Sequence, residues 1–153
     1  MNKETAWNEV VTRLEAIAGI VKVYQGFHEL ESVPDSHKPC IILEPDTTTV
    51  LEDNYDESGG NYALEQLNLV LTLLFNVWEK GKAVTGKVGI LGVFEWEKLV
   101  KDALGDIPEA LGYKVAKVSF GDVVYLHSAV ATSKEFVRAL VIDVQLLIPY
   151  STG

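Results

Sequence analysis

Cysteine is nearly absent from this chain of 153 residues, which contains only Cys40. One cysteine cannot form a disulfide within the chain, so a disulfide-stabilised fold is excluded. Cys40 opens the apolar run Cys-Ile-Ile-Leu. We expect it to be a small buried side chain, because a reactive thiolate needs an electropositive and partly exposed position.

Long apolar runs are also absent. The most apolar segment, residues 67–75, is interrupted by Asn68 and Thr72, whereas a membrane-spanning helix needs about 20 apolar residues. The first residues lead into an amphipathic pattern without the apolar core of a signal peptide. We therefore expect that the chain does not contact a membrane. We also expect that it is synthesised in the cytoplasm and is not exported.

Positive charge is missing from residues 39–79, which hold eight carboxylates and not one Lys or Arg. The whole chain has 13 Lys and Arg against 22 Asp and Glu, a net charge of -9. Such a surface repels phosphate groups, and only Lys134 and Arg138 follow Lys117. A nucleic-acid-binding module is therefore the weakest of the functional hypotheses.

No catalytic or cofactor-binding motif is recognisable. The histidines at positions 28, 37 and 127 have no metal-ligand spacing with one another or with Cys40. Ser128 directly follows His127, and neighbours in a strand point to opposite faces. The glycines at positions 86, 89 and 92 fit neither a phosphate loop nor a dinucleotide fingerprint. We predict no enzymatic activity, no cofactor and no metal.

An acidic segment that contains glycine, residues 46–61, is predicted to be a loop. Its centre, residues 52–60, is rich in oxygen ligands but lacks the alternating acids and distal glutamate of an EF-hand. Three hypotheses remain: a solvated loop, a loop that contacts a partner and, least favoured, a calcium site. A loop of this length in a small domain is usually functional or disordered.

Hydrophobic periodicity predicts two main helices and six strands. Apolar residues at three- and four-residue steps predict helices over residues 3–18 and 92–104, with one further helical turn at 106–111. Strands are predicted over residues 20–24, 40–43, 66–78, 114–120, 123–130 and 137–148. The dipeptide Gly121-Asp122 is predicted to close a hairpin.

The predicted strand over residues 66–78 is unusually long. Its thirteen residues span roughly 43 Å, against roughly 20 Å for a common strand. The excess favours a bulge, or an arm that pairs with another chain. Val70 and Leu74 are apolar on its otherwise polar face and indicate a second, partly covered surface.

These elements predict one α+β domain over residues 1–153. Because helices and strands do not alternate strictly, we expect a mostly antiparallel sheet of about five or six strands. Two main helices should pack on one face of that sheet, and a long strand or hairpin arm should extend from it.

The order of elements resembles the tail terminator, or tail completion, proteins of long-tailed bacteriophages. The resemblance starts with a helix over residues 7–18 that leads directly into Val-Lys-Val-Tyr at residues 21–24. The run Pro-Cys-Ile-Ile-Leu at 39–43, a variable loop and a long alternating strand follow. A helix near 95–104 and a closing strand that ends in Leu-Leu-Ile-Pro-Tyr at 146–150 complete the pattern. The resemblance covers nearly the whole chain, in architecture and size.

This resemblance implies a structural protein of the virion, in the tail or neck, made in the bacterial host cytoplasm. It implies a homohexameric ring on the tail tube protein, joined on its other side to the head-tail connector or stopper protein. DNA would pass through the ring without specific binding. The candidate interface residues are Glu52, Asp53, Tyr55, Asp56, Glu57, Val70 and Leu74.

Two alternative functions stay open. A head-tail connector or stopper of the neck shares a sheet-plus-helix fold and differs mainly in its partners. A small α+β enzyme or ligand-binding domain, from a different class, would have a pocket beside Tyr125, His127 and the segment 46–61. That pocket would need a carboxylate partner for His127.

Overall fold

A computed structural model gives the fold and describes residues 2–26, 33–55, 61–77, 86, 91–112, 114–132 and 135–151. The helices are α1 (Lys3–Glu15), α2 (Val93–Gly105) and α3 (Ile107–Ala110), with a 3-10 turn at Asp35–His37. The strands are β1 (Lys22–Gln25), β2 (Cys40–Tyr55), β3 (Asn61–Val77), β4 (Lys117–Thr132) and β5 (Glu135–Ser151). All strands except β1 are 16 or 17 residues long, about three times the common length.

The strands form one mixed sheet in the order β1-β2-β3-β5-β4. β1 is parallel to β2, and every other neighbouring pair is antiparallel. The expected fold class, an α+β fold with a mostly antiparallel sheet and two main helices, is confirmed.

Helix α1 begins with a side-chain cap and ends before a glycine. The Asn2 side chain accepts a hydrogen bond of 2.8 Å from the Thr5 backbone N–H, which satisfies one free donor of the first turn. The helix ends at Glu15, earlier than the predicted residue 18. Gly19 then has a φ of +92°, a conformation that glycine adopts without strain, and the chain turns toward β1.

Both long helices contribute to one core on one face of the sheet. The strands present their apolar positions to this face, as the alternation on β3 predicts. The β3 side chains buried on this face are Leu67, Leu69, Leu71, Leu73 and Phe75. The helices supply Ala6, Val10, Val11 and Leu14 from α1 and Val93, Trp96, Val100 and Leu104 from α2.

A smaller cluster covers one corner of the opposite face. Val33, Cys40, Ile42, Leu74 and Ala139 are each at most 5% exposed. Val33 precedes the 3-10 turn, so this short segment covers the corner where β2 begins and β3 ends. In the described ranges, no helix packs on the rest of this open face.

Strand β2 is much longer than predicted. The sequence pattern predicts a strand over 40–43 and a loop over 46–61, whereas β2 continues to Tyr55 and β3 spans Asn61–Val77. The run Thr-Thr-Thr-Val at 47–50 is β-branched and favours a strand. Pro45 and the acids near it suggest a loop, but a register shift between Pro45 and Thr47 accommodates them within the pairing.

Strand β4 is continuous, so the predicted hairpin at Gly121-Asp122 is wrong. Both residues lie in an irregularity between Phe120 and Val123, opposite Asp143 of β5. A Cβ on Gly121 would lie only 3.0 Å from the Cβ of Asp143. Glycine therefore marks a close approach within a β-bulge here, and not the end of a strand.

Candidate assembly surface

Two long strand edges are open on opposite sides of the sheet. Among the described strands, β4 is the outermost on one side and pairs with β5 alone. On the other side, β1 covers β2 only up to Leu43. Within the described chain, no strand covers the outer edge of residues 44–55 of β2. The unpaired N–H and C=O groups of such edges are a template for another strand.

Three of the predicted interface residues lie on the open edge strand and not in a loop. Glu52, Asp53 and Tyr55 are in the last part of β2, which pairs with the first residues of β3. The end of β5 pairs with the same part of β3. The core still includes Ile148 of β5, which pairs with Glu65 of β3. The paired strand ends beyond it, residues 61–64 of β3 and their partners, continue as an arm of roughly 13 Å. Asp56 and Glu57 lie outside the described residues.

Val70 and Leu74 share one face of β3 but differ in their surroundings. Val70 is half-buried, and its cross-strand neighbours are Glu44 and Asp143. Leu74 is 1% exposed and belongs to the small corner cluster with Cys40. The chain itself therefore covers Leu74, and only Val70 faces the open part of the sheet.

An aromatic pair borders the open edge of β4. Phe94 of α2 and Tyr125 of β4 meet edge to face with ring centroids 5.6 Å apart, although they are 53% and 44% exposed. The Tyr125 hydroxyl donates a hydrogen bond of 2.6 Å to Glu97 Oε1. This bond, with burial and the carboxylate charge, raises the pKa of Tyr125. The hydroxyl therefore stays protonated at neutral pH and ties α2 to the strand edge.

Amide and carboxylate side chains occupy the centre of the open face. Gln66 Nε2 donates to Asn68 Oδ1 at 2.7 Å, and Asn68 Nδ2 donates to Thr47 Oγ1 at 2.8 Å. A shallow depression of 220 Å³ beside them is lined in part by Asp143 and Gln145. Ligand pockets usually measure about 300–1,000 Å³ and are mostly apolar, so this surface suits contact with water better than capture of a small molecule.

The titratable groups at the covered corner serve packing. Tyr24 Oη and His37 Nδ1 lie 2.5 Å apart, and burial is the main cause that raises the pKa of Tyr24. Cys40 is 0% exposed, and burial raises the pKa of its thiol to about 11. Such a thiol carries almost no thiolate at neutral pH. The predicted burial of Cys40 is confirmed.

The metal and enzyme hypotheses depend largely on side chains that the structure does not describe. Among the described side chains, no three His, Cys, Asp or Glu come together as a metal site. The calcium hypothesis depends on residues 52–60 and the enzyme alternative on His127, and these side chains lie outside the described set. Both hypotheses stay predictions. Of the helices in the described ranges, none is long and apolar enough to cross a bilayer.

The sequence pattern does not identify the exposed apolar residues of the two edges. Val50, Leu51, Val124 and Leu126 are between 44% and 55% exposed. One signal exists, because Val-Val-Tyr-Leu at 123–126 is apolar on both faces of a strand. Such a run usually indicates a strand covered on both faces, whereas β4 is an edge strand with uncovered side chains on each face.

The described part of the chain presents two open edges, a projecting arm and an exposed aromatic pair. Open strand edges and exposed apolar side chains are features through which proteins can contact other chains. The chain matches no model of a known protein family and no curated protein.

Proposed function

We propose that this chain is a tail terminator, a structural subunit of a bacteriophage tail whose copies form a ring on the end of the tail tube. The observation that carries the proposal is a sheet whose strands of 16 or 17 residues extend beyond its helices and leave two edges open. An isolated subunit would expose these edges to uncontrolled association. A closed ring pairs them and limits growth.

The projecting arm supports a contact between stacked rings. It is built from the ends of β2, β3 and β5, and three paired strands hold their shape better than a single loop. In a ring, six such arms would point in one direction. They would give the ring a surface for the tail tube or for the head-tail connector.

The charge of the chain supports passage of DNA without binding. The net charge is -9, and the open face carries Glu44 and Asp143 beside uncharged amides. If this face lines the channel, it repels phosphate groups, whereas a basic lining would hold DNA with a strongly salt-dependent affinity. The proposed location is the virion, after synthesis in the cytoplasm of the host.

The proposal is tested by tail-tube growth. The cognate tail tube protein is polymerised with increasing amounts of the purified chain, and tube lengths are measured by electron microscopy. A tail terminator shortens the tubes and appears as a ring at their ends. An unrelated acidic protein of similar size is the control. Unchanged tube lengths, with no chain sedimenting with the tubes, would refute the proposal.

A further inference from the structure

Exposed apolar side chains concentrate on the two open edges. Among the described residues, eight large apolar side chains are at least 36% exposed, and five of them lie on these edges. The five are Val50 and Leu51 on β2 and Val124, Tyr125 and Leu126 on β4. A sixth, Phe94, packs against Tyr125. Apolar groups gathered in this way favour burial against another molecule.

Bulges divide each open edge into short regular stretches. Of the stretches with four or more residues, residues 47–50 on β2 and 123–127 on β4 carry no charged side chain, whereas residues 52–55 and 117–120 do. We call residues 47–50 the β2 window and residues 123–127 the β4 window. Neither contains Asp, Glu, Lys or Arg. Because a bulge interrupts regular pairing, each window can pair with a foreign strand over only a short length and in few registers.

The chain segments that contain the two windows have opposite net charges. Residues 39–79, which include the β2 window, hold eight carboxylates and no Lys or Arg, whereas residues 114–138, which include the β4 window, hold four Lys and Arg and two acids. Glu97 of α2 also lies at the β4 window, where it accepts a hydrogen bond from Tyr125. Pairing of two β2 windows would oppose like charges. Pairing of a β2 window with a β4 window brings opposite net charges together, so the favoured occupant of each edge is the other edge of a second copy.

Strand direction permits this pairing. Three antiparallel steps separate β2 from β4 in the sheet, so the two strands run in opposite directions. A second copy in the same orientation therefore places its β2 antiparallel to β4 of the first, with the helices of both copies on one side. We infer that the chain assembles head to tail, with the β4 window of one copy paired to the β2 window of the next.

The positions of the windows are compatible with closure into a ring, which a head-to-tail interface forms when its rotation closes. The β2 window is level with residues 65–68 of β3, and the β4 window is level with residues 71–75. This offset of about six residues, roughly 20 Å, would make neighbouring copies staggered. Closed sheets with tilted strands need such a stagger. The inference rests on the proposed function for its end product, the ring.

Matched charge variants test the pairing. Val50→Lys places a positive charge in the β2 window and Val124→Glu places a negative charge in the β4 window, at side chains that are 55% and 47% exposed, so each new charge opposes a segment of its own sign. Val21→Lys and Val21→Glu are the controls, at a side chain that is 56% exposed outside both windows. Each window variant should weaken association by about tenfold or more, while the controls should associate like the wild type. Light scattering over a concentration series measures association, and circular dichroism verifies that each variant is folded.

Photo-cross-linking then identifies the paired strands. A benzophenone side chain replaces Val124 in chains of normal mass, these are mixed with isotopically heavy chains under assembling conditions, and cross-linked peptides are mapped by mass spectrometry. The inference predicts links from position 124 to residues 44–55 of a heavy chain. The same probe at Val21 should give no such links.

The outcomes separate this inference from the proposed function. Rings with links from position 124 to another β4, or rings that survive both window variants, would overturn head-to-tail edge pairing and leave the tail-terminator proposal standing. A wild-type chain that stays monomeric, alone and with tail tubes, would overturn both.

Discussion

Replacing Leu74 by alanine should destabilise the folded chain itself, although the sequence pattern makes Leu74 an interface candidate. Leu74 is 1% exposed, in a cluster with Val33, Cys40, Ile42 and Ala139. Leucine-to-alanine changes in buried positions cost about 2–5 kcal/mol, depending on how far the site can collapse. This cluster is small and lies at a corner of the sheet, so we expect the lower part of that range, about 2–3 kcal/mol.

Urea unfolding monitored by tryptophan fluorescence measures this loss. A loss of about 2–3 kcal/mol should lower the midpoint by about 1–2 M urea. Val70→Ala is the matched control, because Val70 lies on the same face of β3 but is half-buried, and it should cost about 1 kcal/mol or less. Midpoints are compared at two protein concentrations about tenfold apart, because assembly makes them concentration-dependent. A Leu74→Ala variant with an unchanged midpoint but weaker association would refute the assignment of Leu74 to the interior.

Three further predictions concern single residues. Gly19→Ala should lower the free energy of unfolding by about 1 kcal/mol, measured by thermal unfolding, because Gly19 has a φ of +92°. Gly105→Ala is the control, since there is open space around Gly105, and it should be neutral or stabilising. Cys40, whose pKa rises from 9.0 to about 11, should react with Ellman's reagent at least about 100-fold more slowly in the native chain than in urea; equal rates would refute its burial. Tyr125→Phe should cost about 0.5 kcal/mol at neutral pH, since it removes a solvent-screened bond to Glu97. Because the pKa of Tyr125 is raised, that contribution is complete below the unfolded pKa of about 10 and is lost as the pH rises through the folded pKa. A cost that persists unchanged at higher pH in chemical unfolding would contradict the hydrogen bond.

Periodicity predicts the elements whose side chains meet one core. The apolar stripes of α1 and α2 and the alternation of β3 and β5 each reflect burial on a single face, and the sequence shows these patterns directly. The alternation fails to mark strand ends where local chemistry resembles a turn. Pro45 and Gly121 both lie within long strands, and only pairing with neighbouring strands shows that each belongs to a bulge.

The candidate surface depends on strand order, which a single sequence does not reveal. The sequence pattern identifies the acidic half of the surface through Glu52, Asp53 and Tyr55, and the structure adds that their strand has an uncovered edge. The sequence pattern misses Val124, because the exposure of Val124 follows from the position of β4 at the end of the order β1-β2-β3-β5-β4. That order is set by contacts between residues far apart in the chain.

Electron microscopy of the purified chain, alone and with tail tubes, shows whether the chain forms a ring at the end of the tube. A ring-forming tail terminator should give annular particles of six copies of the 16.9 kDa chain, roughly 100 kDa in total. The six-fold rotation axis of such a particle should run through an open central channel. Such rings should be seen in solution or at the ends of the tubes. Single chains at high concentration, together with tube ends that carry no additional density, would contradict the account.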